Sequence, residues 1–274
     1  MIKTFNSTSQ EKPSQFLVRN IREIFVFRFA LANFVVNGLR TRYRRSVLGF
    51  LWSLLNPLLI MIVISVVFST VFKQDIQVYA VYIFSGLSPW LYISASIAGG
   101  CLCLINAEGF LKKVYVPKSI FPVVLESIET VNFLLSLVSL YILSLALGHP
   151  LTLSLLLLPF AVIITFIFNL GLATSVGIAT IYFRDTNHIT GILLQALFYM
   201  TPIVYPEETI PQAMRGLYLY NPFYYFINLF RKIILGKPEL NFADWLIPLG
   251  IALFTFFLGS LILKKTENDL VFRL

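Results

Sequence analysis

Apolar residues along this chain come in six long runs, at 47–72, 79–104, 119–147, 153–182, 188–205 and 243–263. A bilayer core needs ~20 apolar residues per crossing helix, so the pattern predicts an all-α integral membrane protein with six transmembrane helices. The fourth run is long enough to demand tilt or projection beyond the hydrocarbon. Ahead of the runs, Arg19, Arg22, Glu23, Asn33, Asn37, Arg40 and Arg44 fall in one ~100° sector of a helical projection, with mainly apolar residues around the rest, where Arg28 and Arg42 can snorkel. This predicts an amphipathic interface helix over 19–44, with Pro13 and Ser14 at its start. Between the last two runs, 206–242 is rich in Tyr, Phe, Leu and Ile but is divided by Pro206, Pro211, Pro222 and Pro238. Its two pieces, 209–220 and 222–236, are too short to span and predict two re-entrant helices, with helices flat on the bilayer as the alternative.

Composition agrees. The 274 residues are 58% hydrophobic and 12% charged, with a mean hydropathy of +0.82, whereas soluble domains carry roughly a quarter charged residues. The net charge of +8 does not mark a nucleic-acid binder, because nine of the 21 Lys/Arg lie in the first 45 residues and most others flank apolar runs. Sixteen basic residues fall on one side of the predicted topology and five on the other, which puts both termini in the cytoplasm. The chain divides into a cytoplasmic segment (1–45) and a six-span domain (46–274), with a cytoplasmic link at 105–118 and an outer segment at 206–240. Residues 1–20 lack an apolar core, so no cleavable signal peptide is expected. Asn6-Ser7-Thr8 fits a glycosylation acceptor but falls on the cytoplasmic side.

No catalytic constellation is present. There is no phosphate-binding loop of the G-x-x-x-x-G-K-[ST] type, and His149 and His188 fall at opposite membrane faces, so neither a cofactor nor a metal site is expected on this chain. Cys101 and Cys103, one residue apart in an apolar run, read as small hydrophobes. Glu126 and Glu129 share a helix face inside the third run. They read either as a proton relay or as acceptors for Arg or Asn side chains on a neighbouring helix. Ser46, Gly49, Ser53 and Pro57 line one face of the first run, and Gly171/Ser175 with Ala173/Gly177 repeat the spacing in the fourth, which predicts close helix packing. Trp52, Trp90 and Trp245 read as interfacial belt residues. Asp185 reads as the N-cap of the helix that follows it, with Arg184 paired to it or to the last carbonyls of the preceding helix. The link INAEGFLKKVYVPK predicts a short helix ended by Pro117, a docking element for a soluble partner. Tyr199, Tyr205, Tyr218, Tyr220, Tyr224 and Tyr225 cluster around the re-entrant segment, as glycan-facing rings or as packing.

Six fragments in register carry a resemblance: RTRYRRSVLGFLWSLLNPLL (40–59), FSGLSPWLYIS (84–94), INAEGFLKKVYVPKSIFP (105–122), YFRD (182–185), MTPIVYPEETIP (200–211) and LYNPFYYFINLFR (219–231). Together they resemble the membrane-spanning subunits of ABC-2 type exporters of O-antigen and related lipid-linked polysaccharides. The resemblance implies a homodimer around a polymer channel, two copies of a separate ABC ATPase subunit that holds the ATP and Mg, and a cargo on an undecaprenyl-diphosphate carrier. It implies a coupling helix within 105–118, involving Asn106, Glu108, Gly109, Phe110, Lys112 and Lys113, and outer gate helices within 206–240. Arg40, Arg42, Arg44 and Arg45 would hold the interface helix on anionic headgroups, or meet the carrier diphosphate. Other readings stay open at this point: a teichoic-acid or capsule exporter, a proton-coupled carrier using Glu126 and Glu129, or a membrane-bound glycosyltransferase.

Overall fold

The computed structural model describes residues 11–43, 48–73, 75–146, 148, 152–206, 215–236 and 240–274. Every regular element among them is a helix: α1 (Pro13–Val26), α2 (Arg28–Tyr43), α3 (Trp52–Phe72), α4 (Ile76–Asn106), α5 (Glu108–Leu111), α6 (Ile120–Ala146), α7 (Leu158–Tyr182), α8 (Thr186–Met200), α9 (Arg215–Tyr218), α10 (Pro222–Ile234), α11 (Phe242–Thr266) and α12 (Leu270–Arg273). Short 3₁₀ turns at Gly49–Leu51 and Leu153–Leu157 lead into α3 and α7.

Five segments are long and apolar enough to cross a bilayer: Leu54–Phe72, Ile76–Leu111, Ile120–Ile142, Leu153–Tyr182 and Phe242–Thr266. They match five of the six expected runs. The remaining run, 188–205, is helical only to Met200. At 15 residues α8 is about 22 Å long, shorter than a bilayer core. Residues 201–205 then bend inward, with Thr201, Pro202 and Ile203 buried.

α7 is the central post, packed against α4 on one side and α11 on the other. Small residues bring the backbones together, as the sequence spacing predicts. A side chain at Gly171 would lie 2.5 Å from the Phe256 nitrogen of α11, and one at Gly100 of α4 would lie 2.6 Å from the Ala173 Cα. Gly49 does not join this packing. Its φ of +49 and open surroundings make it a turn residue ahead of α3, where lack of a Cβ permits the left-handed backbone. Of its expected stripe, Ser46 lies outside the described residues.

The N-terminal helix differs from expectation. Instead of one rod over 19–44, α1 and α2 meet at Phe27 with a 68° bend. The cause is two docking directions that no straight helix meets. Phe16 of α1 is buried in a cluster with Leu104, Phe121, Ile178, Leu263 and Leu270, where α4, α6, α7, α11 and α12 converge. Arg19 donates to Glu267 at 2.8 Å. α2 instead runs beside the first turns of α6, with the Phe34 ring 5.9 Å from that of Phe121. Trp90 is a second departure: it is buried against Phe198 and Phe223, a core residue and no belt residue. Trp52 is half-exposed, and Trp245 packs on the rim of the core.

Candidate functional site

Three structures on the chain bear on function, one at each end of the bundle and one between. At the end where α1, α12 and the tips of α4, α7 and α11 gather, α5 hangs directly from α4 across Ala107. It is a single turn, and Lys112 is already beyond it as the C-cap, with 115–117 outside regular structure. Asn106 belongs to α4 rather than to the short helix. Gly109 has open space where a Cβ would stand. Glu108 accepts from Lys112 at 2.7 Å, an i,i+4 pair that stabilises the turn. That hydrogen bond and the Lys112 charge, helped by Arg184, hold the Glu108 carboxyl below its ordinary range. Phe110 is half-exposed, with its inner edge on Phe34 of α2 at 5.2 Å. Lys113 is exposed beside it. Arg184 itself is exposed. Asp185 stands at the N-cap of α8 but makes no capping hydrogen bond, because its backbone is already helical (φ −66, ψ −17) and an N-cap normally needs an extended one. The capping role read from the sequence is therefore wrong.

Between the ends, the two glutamates of α6 have separate partners. Glu126 is fully buried and accepts from the Tyr92 hydroxyl at 2.5 Å and from Asn169 Nδ2 at 3.1 Å, which ties α6 to α4 and α7. Glu129 accepts from Arg42 Nη1 at 2.7 Å and from Asn132 Nδ2 at 3.2 Å. The expectation that an Arg and an Asn on neighbouring helices engage this pair is borne out. Arg42 is thus paired with α6, with about half of its side chain still exposed, while Arg40 is exposed and Arg44 and Arg45 lie outside the described residues. Beside the Arg42–Glu129 pair a cavity of about 500 Å³ opens between α3, α4 and α6, with Trp52, Asn56, Pro57, Ser88, Asn132 and Ser136 among its walls.

At the far end, α10 is inserted into the bundle, not laid flat on a surface. Its first turns set Phe223 edge-to-face with Trp90 and stack Phe226 on Phe168, the latter rings 4.2 Å apart. Phe168 lies about 15 Å along α7 from Leu158. Ile233, near the other end, receives a hydrogen bond from Ser154 just ahead of α7. α10 therefore starts deep and runs outward, the geometry of the second arm of a re-entrant hairpin. Of the first arm only the one-turn α9 is described, since 207–214 lie outside the described residues. Arg231 holds α10 in place: it is buried, donates to the Pro202 and Ile203 carbonyls at 2.8 and 3.0 Å, and its guanidinium lies 4.1 Å from the Tyr82 ring centre. Gly86 leaves the room it needs, since a Cβ there would lie 2.5 Å from Arg231 Nη2.

The tyrosine cluster divides. Tyr224 is buried with Tyr218 and Tyr225 against it, Tyr225 donates to the Leu219 carbonyl, and Tyr205 donates to the Tyr199 carbonyl. Tyr199 and Tyr220 project outward, the latter 88% exposed. Sequence reasoning missed Arg231, Tyr92 and Asn169. For Arg231 a signal existed: it sits on the apolar face of α10, where Phe223, Phe226, Ile227, Phe230 and Ile233 repeat at helical spacing.

Comparison with known proteins accords with this architecture. The family model described as ABC-2 type transporter matches residues 32–235. The chain is 36% identical over 204 residues to the O-antigen export system permease protein RfbA of Myxococcus xanthus, covering 74% of this chain and 78% of the relative. It is 28% identical over 217 residues to the RfbA protein of Klebsiella pneumoniae, covering 78% and 84% of the two chains. It is 24% identical over 245 residues to the Polysialic acid transport protein KpsM of Escherichia coli, covering 85% and 92%.

Proposed function

This chain belongs to the ABC-2 type transporter family, and from that premise we propose that it is the membrane-spanning subunit of an ATP-driven exporter of lipid-linked polysaccharide. The names of its RfbA relatives support a cargo of the O-antigen type. In this reading two copies form the channel, and two copies of a separate ABC ATPase bind ATP and Mg. Both termini are cytoplasmic, and a glycan on a polyprenyl-diphosphate carrier passes to the outer leaflet. Arg40, Arg44 and Arg45 serve anionic headgroups or the carrier diphosphate. Tyr199 and Tyr220 are the rings of the cluster best placed to meet glycan.

The observation that carries the reading is α5: a short helix with exposed Glu108 and Phe110, followed directly by exposed Lys112 and Lys113, and borne without a linker on the end of a 31-residue helix. A partner that grips α5 moves α4 with it. Co-expression of the tagged chain with the ATPase subunit tests this. Glu108→Arg with Lys112→Glu and Phe110→Ala should abolish co-purification of the ATPase and ATP-driven export while leaving the chain in the membrane. An undiminished ATPase yield would remove α5 as the coupling element. Export of a capsular glycan is the second reading, supported by the KpsM relatives. The glycan that accumulates inside cells lacking the chain decides between the two.

A further inference from the structure

We propose that the cavity between α3, α4 and α6 binds a polyhydroxylated headgroup, a sugar or a glycerol, carried by a membrane lipid. The cavity lies within the bundle. Glu129 stands about 14 Å along α6 from Ile120, and Ala95 about 17 Å along α4 from Asn106. Polar groups at such depth are costly unless they have partners. Here an ion pair, two amides and two hydroxyls surround a void of about 500 Å³, a volume within the usual range for small-ligand sites.

The lining chooses among ligands. Arg42 and Glu129 cancel each other at 2.7 Å, so a bare phosphate or ammonium meets both signs together and gains little. A hydroxyl both donates and accepts, and the walls offer both functions. Arg42 and Asn132 donate, Glu129 accepts, and the Asn56 amide does either. At the inner end Ser88 Oγ and Ser136 Oγ are 2.7 Å apart, and Ser136 donates on to the Phe133 carbonyl at 2.8 Å, which leaves Ser88 able to accept. Trp52 and the stacked Tyr92–Phe133 pair add the flat apolar surface on which the C–H face of a polyol rests. The mouth points to a lipid as the carrier. Arg42 is about half-exposed there. On the adjoining helix Leu59 (52%), Ile62 (49%) and Val63 (62%) are open, a surface along which an acyl or prenyl chain can lie.

The site does not depend on the exporter reading, and its test is separate. The full chain is reconstituted in phosphatidylcholine nanodiscs with a minor fraction of one probe lipid. The probes are phosphatidylglycerol, a hexose-bearing polyprenyl diphosphate, phosphatidylethanolamine, or polyprenyl phosphate without sugar. Native mass spectrometry then reads the probe retained after extraction. The expected result is retention of phosphatidylglycerol, of the sugar-bearing lipid, or of both; which one tells whether the polyol comes from the bulk membrane or from the cargo. Asn56→Leu, an exposed position whose loss leaves the fold's melting temperature in place, should cut retention about fivefold, the equivalent of one hydrogen bond of about 1 kcal/mol. Retention of phosphatidylethanolamine or sugar-free polyprenyl phosphate to the same extent would overturn the proposal. So would retention indifferent to Asn56→Leu. Failure of this test beside intact export in cells leaves the exporter reading standing, and the reverse result leaves the cavity standing.

Discussion

Replacing Arg231 with Met tests how α10 is held. The substitution keeps most of the volume and removes the charge. Two carbonyls, of Pro202 and Ile203, then lose donors at 2.8 and 3.0 Å in a buried setting. An unsatisfied buried carbonyl costs about 1–3 kcal/mol, and the stacking on Tyr82 adds up to about 2 kcal/mol. Against this stands the relief of no longer burying a guanidinium, worth several kcal/mol in the opposite sense. The balance is a loss of about 3 kcal/mol, or on the order of 10 °C in melting temperature for a chain of this size. Arg231→Lys should lose roughly half as much, because an ammonium lacks the planar fork that serves both carbonyls at once. Tyr82→Phe is the control. It keeps the ring under the guanidinium and deletes the 3.2 Å hydrogen bond to the Tyr205 carbonyl, about 1 kcal/mol. Melting in detergent gives the global value, and hydrogen exchange over 201–206 and 222–234 locates the loss. If Arg231→Met melts with the wild type and exchange there is unchanged, Arg231 is not what holds α10.

Other outcomes follow from the same geometry. Glu126→Gln should be tolerated, since the amide oxygen still accepts from Tyr92, whereas Glu126→Leu takes the carboxylate acceptor from both the Tyr92 hydroxyl, which keeps Thr130 Oγ1 at 2.8 Å, and Asn169 Nδ2, and costs about 1–3 kcal/mol by thermal melting. Export that survives Glu126→Gln with Glu129→Gln would exclude a proton-carrying role for the pair. Arg42→Glu and Glu129→Arg should each weaken the docking of α2, and the double swap should restore about 1 kcal/mol in a double-mutant cycle. Gly171→Leu should separate α7 from α11 and cost about 1–3 kcal/mol or more, read as lost folded yield. Because Lys112 depresses the Glu108 carboxyl, the bonus this pair gives α5 is present above the ordinary carboxylate range and is lost as pH falls through the depressed value. Exchange of the α5 amides should therefore accelerate only in that acid window, and Lys112→Met should remove the bonus at every pH.

Much of the fold is legible in the sequence because hydrocarbon imposes length and apolarity on each span. The boundaries at 153–182 and the Gly171/Gly177 crossings come directly from that constraint and from the need of close helices for small residues. Where the sequence reading fails, long-range partners decide. The bend at Phe27 is invisible locally, since both halves are good helix and only their docking on α11 and α6 separates their directions. Trp90 looks like a belt residue until α10 covers it. Arg231 counts as a loop charge when only topology is considered, yet two backbone carbonyls about thirty residues upstream and a ring on α4 make its burial possible. At the candidate site, the α5 turn and the acceptor role of Glu129 are readable. The Glu126–Asn169 contact joins residues 43 positions apart and leaves no local trace.

The helix α4 also has a mechanical meaning. It is continuous from Ile76 to Asn106, with the α10 anchor at Tyr82 and Gly86 on one arm and α5 on the other. At Gly100 it packs against α7 so tightly that a Cβ there would lie 2.6 Å from the Ala173 Cα. A rigid tilt of α4 about that contact would make it a fulcrum. From it to Glu108 is about 12 Å of helix, and to Gly86 about 21 Å. A see-saw with those arms magnifies motion outward: each ångström of sideways displacement at α5 becomes nearly two at the seat of Arg231, so a modest push on one membrane face is geared up on the other.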